Sequence, residues 1–229
     1  MPDTVTTAMI EFKANGGAAP GYLAWPNRRG PVPCIVLIQE WWGLDDHIKE
    51  VSRRFAAEGY AVLAPDLFHG QVTSEPSEAM KLTQAMDRDR AMKELGGAVA
   101  YLKSQPFSSG KVGAIGYCLG GGLSLSTACA SRDVDACVVY YGGNPSPVDL
   151  VRNLNGPLLG IYAEHDERVT AGVPALREAL TRAGKRFETH VYPGTQHAFF
   201  NDTRPEIHNA AASRDAWAKT LAFFAANLK

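Results

Sequence analysis

Apolar residues along this chain fall into two alternating kinds of run. Val32–Gln39 (VPCIVLIQ) is almost wholly apolar, as a strand covered on both faces must be. The next segment places Ile48, Val51, Phe55 and Ala56 on one helical face, with Asp46 positioned to cap its start and Gly59 to end it. Tyr60–Ala64 (YAVLA) predicts a second buried strand, closed by Pro65. A polar stretch from His69 to Ser77 leads into helical sequence that reaches Tyr101 and Leu102. The alternation then repeats. Strands are predicted over Lys111–Tyr117, Ala136–Tyr141, Pro157–Ala163 and Phe187–Tyr192, and helices over Leu119–Ala130, Val173–Ala183 and Asn209–Leu228. Apolar strands alternating with helices predict a mostly parallel sheet with helices on both faces. Residues 7–13 and 20–25 are read as an antiparallel pair at one edge. With no internal repeat, low-complexity tract or linker, residues 1–229 read as a single α/β domain.

Composition narrows the function classes. The formal net charge is −1, which argues against a polyanion-binding surface and so against nucleic acid as a partner. Apolar content of 45% places the chain among globular proteins rather than disordered ones. The opening residues lack a basic stretch followed by an apolar one, and no run is long enough for a membrane helix. Cys34, Cys118, Cys129 and Cys137 form no CxxC, and three of them sit in apolar runs as small buried hydrophobes do. The expectation is a cytoplasmic protein, a monomer or weak homodimer, with no membrane partner.

The chemistry concentrates at strand ends. Gly116-Tyr117-Cys118-Leu119-Gly120 lies where an apolar strand meets a helix of small residues. A nucleophile there turns sharply out of the strand, and a Cβ on either flanking residue would clash in so tight a turn. The Leu119 amide would then face the nucleophile's target, and the helix start adds positive potential that favours a thiolate. Cys118 read alone fits a core thiol equally well. A phosphate-binding turn is a third reading, but neither GxGxxG nor GxxxxGK[ST] is present.

Partners for a nucleophile follow the next strands. Glu164-His165-Asp166 closes one, and Pro193-Gly194-Thr195-Gln196-His197 the other. The chain order, nucleophile then acid then histidine, is that of α/β-hydrolases. His197 would serve as base and then acid, and Asp166 would fix its tautomer. His165, Asp166 and His197 have no zinc-like spacing, so neither a metal nor a cofactor is expected. After Val32–Gln39 comes Glu40-Trp41-Trp42-Gly43, where such folds find a second oxyanion donor, here the Trp41 amide. A carboxylate at the end of a buried strand needs a partner. For Glu40 the thiol is one option and a surface arginine or backbone amide another. Trp41 and Trp42 either line a pocket or belong to the core.

These residues resemble the dienelactone hydrolase (carboxymethylenebutenolidase-like) family of the α/β-hydrolase superfamily over nearly the whole chain. The resemblance is carried by Gln39-Glu40-Trp41-Trp42-Gly43, Ala64-Pro65-Asp66-Leu67, Gly116-Tyr117-Cys118-Leu119-Gly120-Gly121, Tyr140-Tyr141-Gly142, His165-Asp166 and His197-Ala198-Phe199. It implies a single-domain α/β-hydrolase fold without a large cap. It also implies Cys118 as nucleophile with Asp166 and His197, Trp41 and Leu119 as oxyanion donors, and Glu40 as a carboxylate the resting thiol can face. Tyr141 and Trp42 would border the substrate. The implied activity is hydrolysis of small esters or lactones through an acyl-thioenzyme, either as a dienelactone hydrolase or as a broader carboxylesterase. One position departs from the pattern: Asn201 stands where the family is expected to carry an arginine for the substrate's carboxylate, leaving Arg204, Arg88 or Arg90 for that task. The rival readings are a redox-responsive thiol protein, which needs a resolving cysteine near Cys118 where the sequence offers only Cys129, farther along the helix and in an apolar run, and an inactive binding module on the same scaffold.

Overall fold

Strand β3 (Val32–Ile38) is buried at all seven positions, and its alternate side chains enter two separate apolar layers. Cys34, Val36 and Ile38 point to one layer and Ile35 and Leu37 to the other, as the two-residue strand period requires. The computed structural model describes residues 4–14 and 16–229; Met1–Asp3 and Asn15, within the expected 1–229 domain, lie outside the described residues. The other strands are β1 (Val5–Ala14), β2 (Gly17–Pro26), β4 (Ala61–Pro65), β5 (Ser108–Tyr117), β6 (Ala136–Tyr140), β7 (Leu158–Ala163) and β8 (Phe187–Tyr192). They form one sheet in the order β1-β2-β4-β3-β5-β6-β7-β8. β2 pairs antiparallel with both neighbours and every other pairing is parallel, so β2 alone runs against the rest. The expected edge pair is present, and longer at both strands than the alternation indicated.

Helices α1 (Asp46–Ala57) and α7 (Ala210–Leu228) cover one face, with Ile48, Phe55 and Phe224 in its apolar layer. On the other face lie α3 (Arg88–Ser104), α4 (Leu119–Ala130) and α6 (Val173–Arg182), contributing Ala98, Leu125 and Leu176. A single α/β domain with an α/β-hydrolase fold results. Among the described residues no helix is long and apolar enough to cross a membrane.

Two local expectations are corrected. Asp45, not Asp46, caps α1: its backbone is extended and its carboxylate accepts from the Ile48 amide at 3.0 Å, while Asp46 already lies inside the helix. The helical sequence after Ser77 is two helices, α2 (Pro76–Ala85) and α3. Between them Met86 turns inward, and Asp87 caps α3 by accepting from the Arg90 amide. A short α5 (Glu167–Thr170) and a 3-10 turn over Val148–Asn153 complete the elements among the described residues.

The two aspartates at the start of α1 are separable by mutation. Asp45→Ala should cost about 1 kcal/mol in urea unfolding, whereas Asp46→Ala should cost only a few tenths of that, about its dipole contribution. Equal losses would reassign the cap.

Candidate active site

At the end of β5 the chain turns into α4 through Cys118, whose φ of 55° and ψ of −114° are rare for a residue with a side chain. The turn is held from both sides. The Cys118 amide donates to the Tyr140 carbonyl of β6 at 3.1 Å, and the Cys118 carbonyl accepts from the Gly121 amide at 3.0 Å. A Cβ at Gly116 would lie 2.0 Å from the Gly120 oxygen, and one at Gly120 would lie 2.3 Å from the Ile38 oxygen. The helix start is therefore pressed onto the ends of β5 and β3 at a separation only glycine permits. Cys118 is half-buried at this edge, while Cys34, Cys129 and Cys137 are buried. Burial pushes the Cys129 thiol up to about 11.

Asp166 follows β7 and His197 follows β8, at the carboxyl ends where the sheet gathers functional groups. His197 Nδ1 hydrogen-bonds Asp166 Oδ2, which leaves Nε2 as the nitrogen available to the Cys118 sulfur. Burial works against charging the His197 ring, but its bonds to Asp166 and Cys118 outweigh that and raise it to about 10. The Tyr141 ring stands 5.1 Å from the imidazole, and Tyr141 itself has a φ of 38°. The neighbouring Glu164 and His165 face outward and tie the two loops together. Glu164 Oε2 accepts from the Gly194 amide at 2.8 Å, and the His165 amide donates to the Thr195 carbonyl at 2.9 Å. Among the described residues no three His, Cys, Asp or Glu side chains are grouped as metal ligands.

Glu40 is buried, and its partner is neither the thiol nor an arginine. Asn201 Nδ2 donates to Glu40 Oε2 at 2.6 Å, so the residue standing where a cation was expected serves the carboxylate instead. Burial pushes the Glu40 carboxyl up to about 7, against the pull of Asn201, His197 and Arg204. Just before it, Gln39 Oε1 accepts from the Leu67 amide at 3.2 Å and so fixes the β3 loop against the β4 loop. Asp66 accepts from the Phe68 and Gly70 amides, which accounts for its place in the Ala64-Pro65-Asp66-Leu67 motif.

Cys118, Leu119, Trp41, Tyr141 and His197 wall one cavity of about 990 Å³. Among the described residues neither the Trp41 nor the Leu119 amide has an acceptor in the protein. Trp42 is not part of this wall; it is buried beneath Trp41, with the Arg204 guanidinium 5.2 Å from its ring. Of the three arginines singled out for a substrate carboxylate, only Arg88 reaches the cavity. Arg90 is bound to the Leu67 carbonyl and Glu94, and Arg204 to Glu206. The polar stretch 69–77 does not line the cavity; it packs on Trp42 and Gly43 instead. Sequence reasoning missed Met80, Thr83 and Gln84 of α2 and Arg168 of α5, which also line the cavity.

A parallel sheet with one reversed strand, a strained residue between β5 and α4, and an acid and a histidine after later strands define the α/β-hydrolase class. Within it, the sequence profile described as "Dienelactone hydrolase family" matches residues 19–228, and the chain belongs to that family of carboxylic ester hydrolases. A "Putative carboxymethylenebutenolidase" from Saccharolobus solfataricus is 31% identical, over 93% of this chain and 96% of that protein. "Protein usf" from Aquifex pyrophilus is 36% identical, over 94% of this chain and 96% of its own length. Among solved structures, a "Putative Dienelactone Hydrolase" from Klebsiella pneumoniae superposes with a TM-score of 0.89 at 27% identity, covering 97% of this chain and 99% of the other.

The buried Glu40 carboxyl makes a pH-dependent contribution to stability. Its value rises from 4.5 to about 7 on folding, so the folded chain holds a proton that the unfolded chain releases. Stability from this group is full below the lower value and lost as pH climbs through the upper one, a change of roughly 3 kcal/mol at most. Glu40→Gln should therefore gain on the wild type between pH 5 and pH 8 in urea unfolding. A difference that is the same at both pH values would show an ordinary carboxyl.

Proposed function

We propose that the protein hydrolyses small carboxylic esters or lactones through a Cys118-His197-Asp166 triad and a thioester intermediate. The observation that carries this reading is the His197 ring, bound by Asp166 at one nitrogen and facing the Cys118 sulfur with the other. Asp166 fixes the tautomer and stabilises the imidazolium that pairs with the thiolate. The thiolate attacks the carbonyl carbon, and the charge that develops on oxygen meets the Trp41 and Leu119 amides, which have no other acceptor to give up. Collapse breaks the bond to the leaving alkoxide, which takes the proton from His197. Water, deprotonated by the same nitrogen, then attacks the thioester and releases the acid and the thiolate.

Glu40, held by Asn201, acts as a supporting carboxylate beneath this assembly rather than as a partner of the thiol. With Asn201 engaged there and Arg204 lying over Trp42, Arg88 and Arg168 are the cations that line the cavity and can meet a substrate carboxylate. That supports a carboxylesterase of broad acceptance over a strict dienelactone hydrolase. No cofactor takes part. We place the enzyme in the cytoplasm as a monomer or weak homodimer, without nucleic-acid or membrane partners. Tyr141 borders the substrate through its contact with His197, and Trp42 acts through Trp41.

Cys118→Ala should abolish turnover of p-nitrophenyl acetate, and His197→Gln or Asp166→Asn should lower kcat by about 10³-fold or more. Intact-protein mass spectrometry of His197→Gln with the same ester should show an acetyl adduct on Cys118. Full activity without the Cys118 thiol would refute the triad. Glu40→Gln should also shift the pH profile of Cys118 alkylation by iodoacetamide, and an unmoved profile would remove Glu40 from the site.

A further inference from the structure

The cavity that holds Cys118 runs on past it along α4. Leu119, Gly122, Leu123, Ser126, Cys129 and Ala130 all face it, and their spacing of three and four residues is that of one helix face. From Leu119 to Ala130 that face extends about 17 Å at the helical rise per residue. Met92 and Leu150 add apolar wall on the way. At the far end Cys129, Ala130 and Asn153 are shared with a second cavity, of about 520 Å³.

The walls of this second cavity carry Arg132, Arg152 and Lys185 and no carboxylate. The acids nearest in sequence are engaged elsewhere: Asp133 with Lys103, Asp135 with Lys111 and Asp149 with Arg182. Lys185 Nζ is tethered to the Leu154 carbonyl at 2.6 Å. Among the described residues Arg132 and Arg152 have no partner. The carboxyl end of α4 carries the equivalent of about half a negative charge, which one cation would already offset. Three are present.

We infer that the two cavities form one elongated site, in which an ester carbonyl lies at Cys118 and a linear chain of about a dozen atoms follows α4 to set a terminal carboxylate beside Arg132 and Arg152. The inference rests on the hydrolase reading and names its substrate class: esters of medium-length dicarboxylic acids. A neutral chain of the same length fills the apolar stretch but leaves the guanidinium groups unanswered.

The test compares p-nitrophenyl acetate, p-nitrophenyl dodecanoate and the mono-p-nitrophenyl ester of dodecanedioic acid. The wild type should favour the dicarboxylic ester over the neutral one at least tenfold in kcat/KM, and less so as salt rises. The double variant Arg132→Ala/Arg152→Ala should bring that ratio below about threefold while leaving acetate hydrolysis unchanged, and double replacement by lysine should restore part of it. Equal rates on the two long esters in the wild type, or a preference that survives in the double variant, would overturn the inference. So would loss of the preference in Arg88→Ala or Arg168→Ala alone, which would put the anion in the cavity that holds Cys118 rather than in the second one. Calorimetric binding of dodecanedioic acid to the Cys118→Ala protein, weakened by the same double variant, reads the distal site without turnover. Binding there without hydrolysis of any ester by the wild type would refute the hydrolase reading and keep the site.

Discussion

The closeness with which α4 meets the ends of β3 and β5 governs the rest of this site. Gly116 and Gly120 leave no room for a methyl group, so the helix start reaches the sheet at backbone contact distance. That approach forces Cys118 into its left-handed conformation and lifts its side chain out of the strand line. It also brings the first turn of the helix beside the loop that carries Glu40 and Trp41. A wider gap would relax the cysteine and separate Trp41 from Leu119 in the cavity wall.

The sheet supplies the remaining placement. Parallel strands end at one edge, so Asp166 after β7 and His197 after β8 arrive with short connections at the edge where Cys118 follows β5. Loop-to-loop bonds then fix their heights: Gln39 to Leu67, Glu164 to Gly194, His165 to Thr195. A buried carboxylate in this setting is expensive unless it is answered, and Asn201 answers Glu40 with a neutral donor. A guanidinium in that position would hold the carboxyl ionised across the neutral pH range. An amide lets it carry a proton near pH 7.

The architecture was legible because the central strands β3, β4, β6 and β7 are apolar at nearly every position, and that pattern has few competing readings. α4 and β8 were read with the limits they show in the structure. The grouping of Cys118, Asp166 and His197 was legible because each closes a strand, a position where polar side chains need a reason. Other features escaped for physical reasons. Two adjacent aspartates offer the same cap to α1, and only backbone geometry selects Asp45. Apolar Ala85 and Met86 hide the break that Asp87 creates. Trp41 and Trp42 are identical in chemistry, and the direction of each ring is set by the turn rather than by the residue type. The cavity wall from α2 was invisible because that helix buries so little that its pattern points nowhere.

The bond between Glu40 and Asn201 joins positions 161 residues apart in the chain. During synthesis, when about 5–20 residues emerge each second, β3 and the thiol turn are made many seconds before the segment that completes them. Until that segment docks, the carboxyl group has no amide to answer it and the sulfur has no imidazole. A nascent or truncated polypeptide thus carries the Cys118 sulfur without the imidazole that faces it in the folded chain. Assembly of the far end of the chain is the event that completes the site.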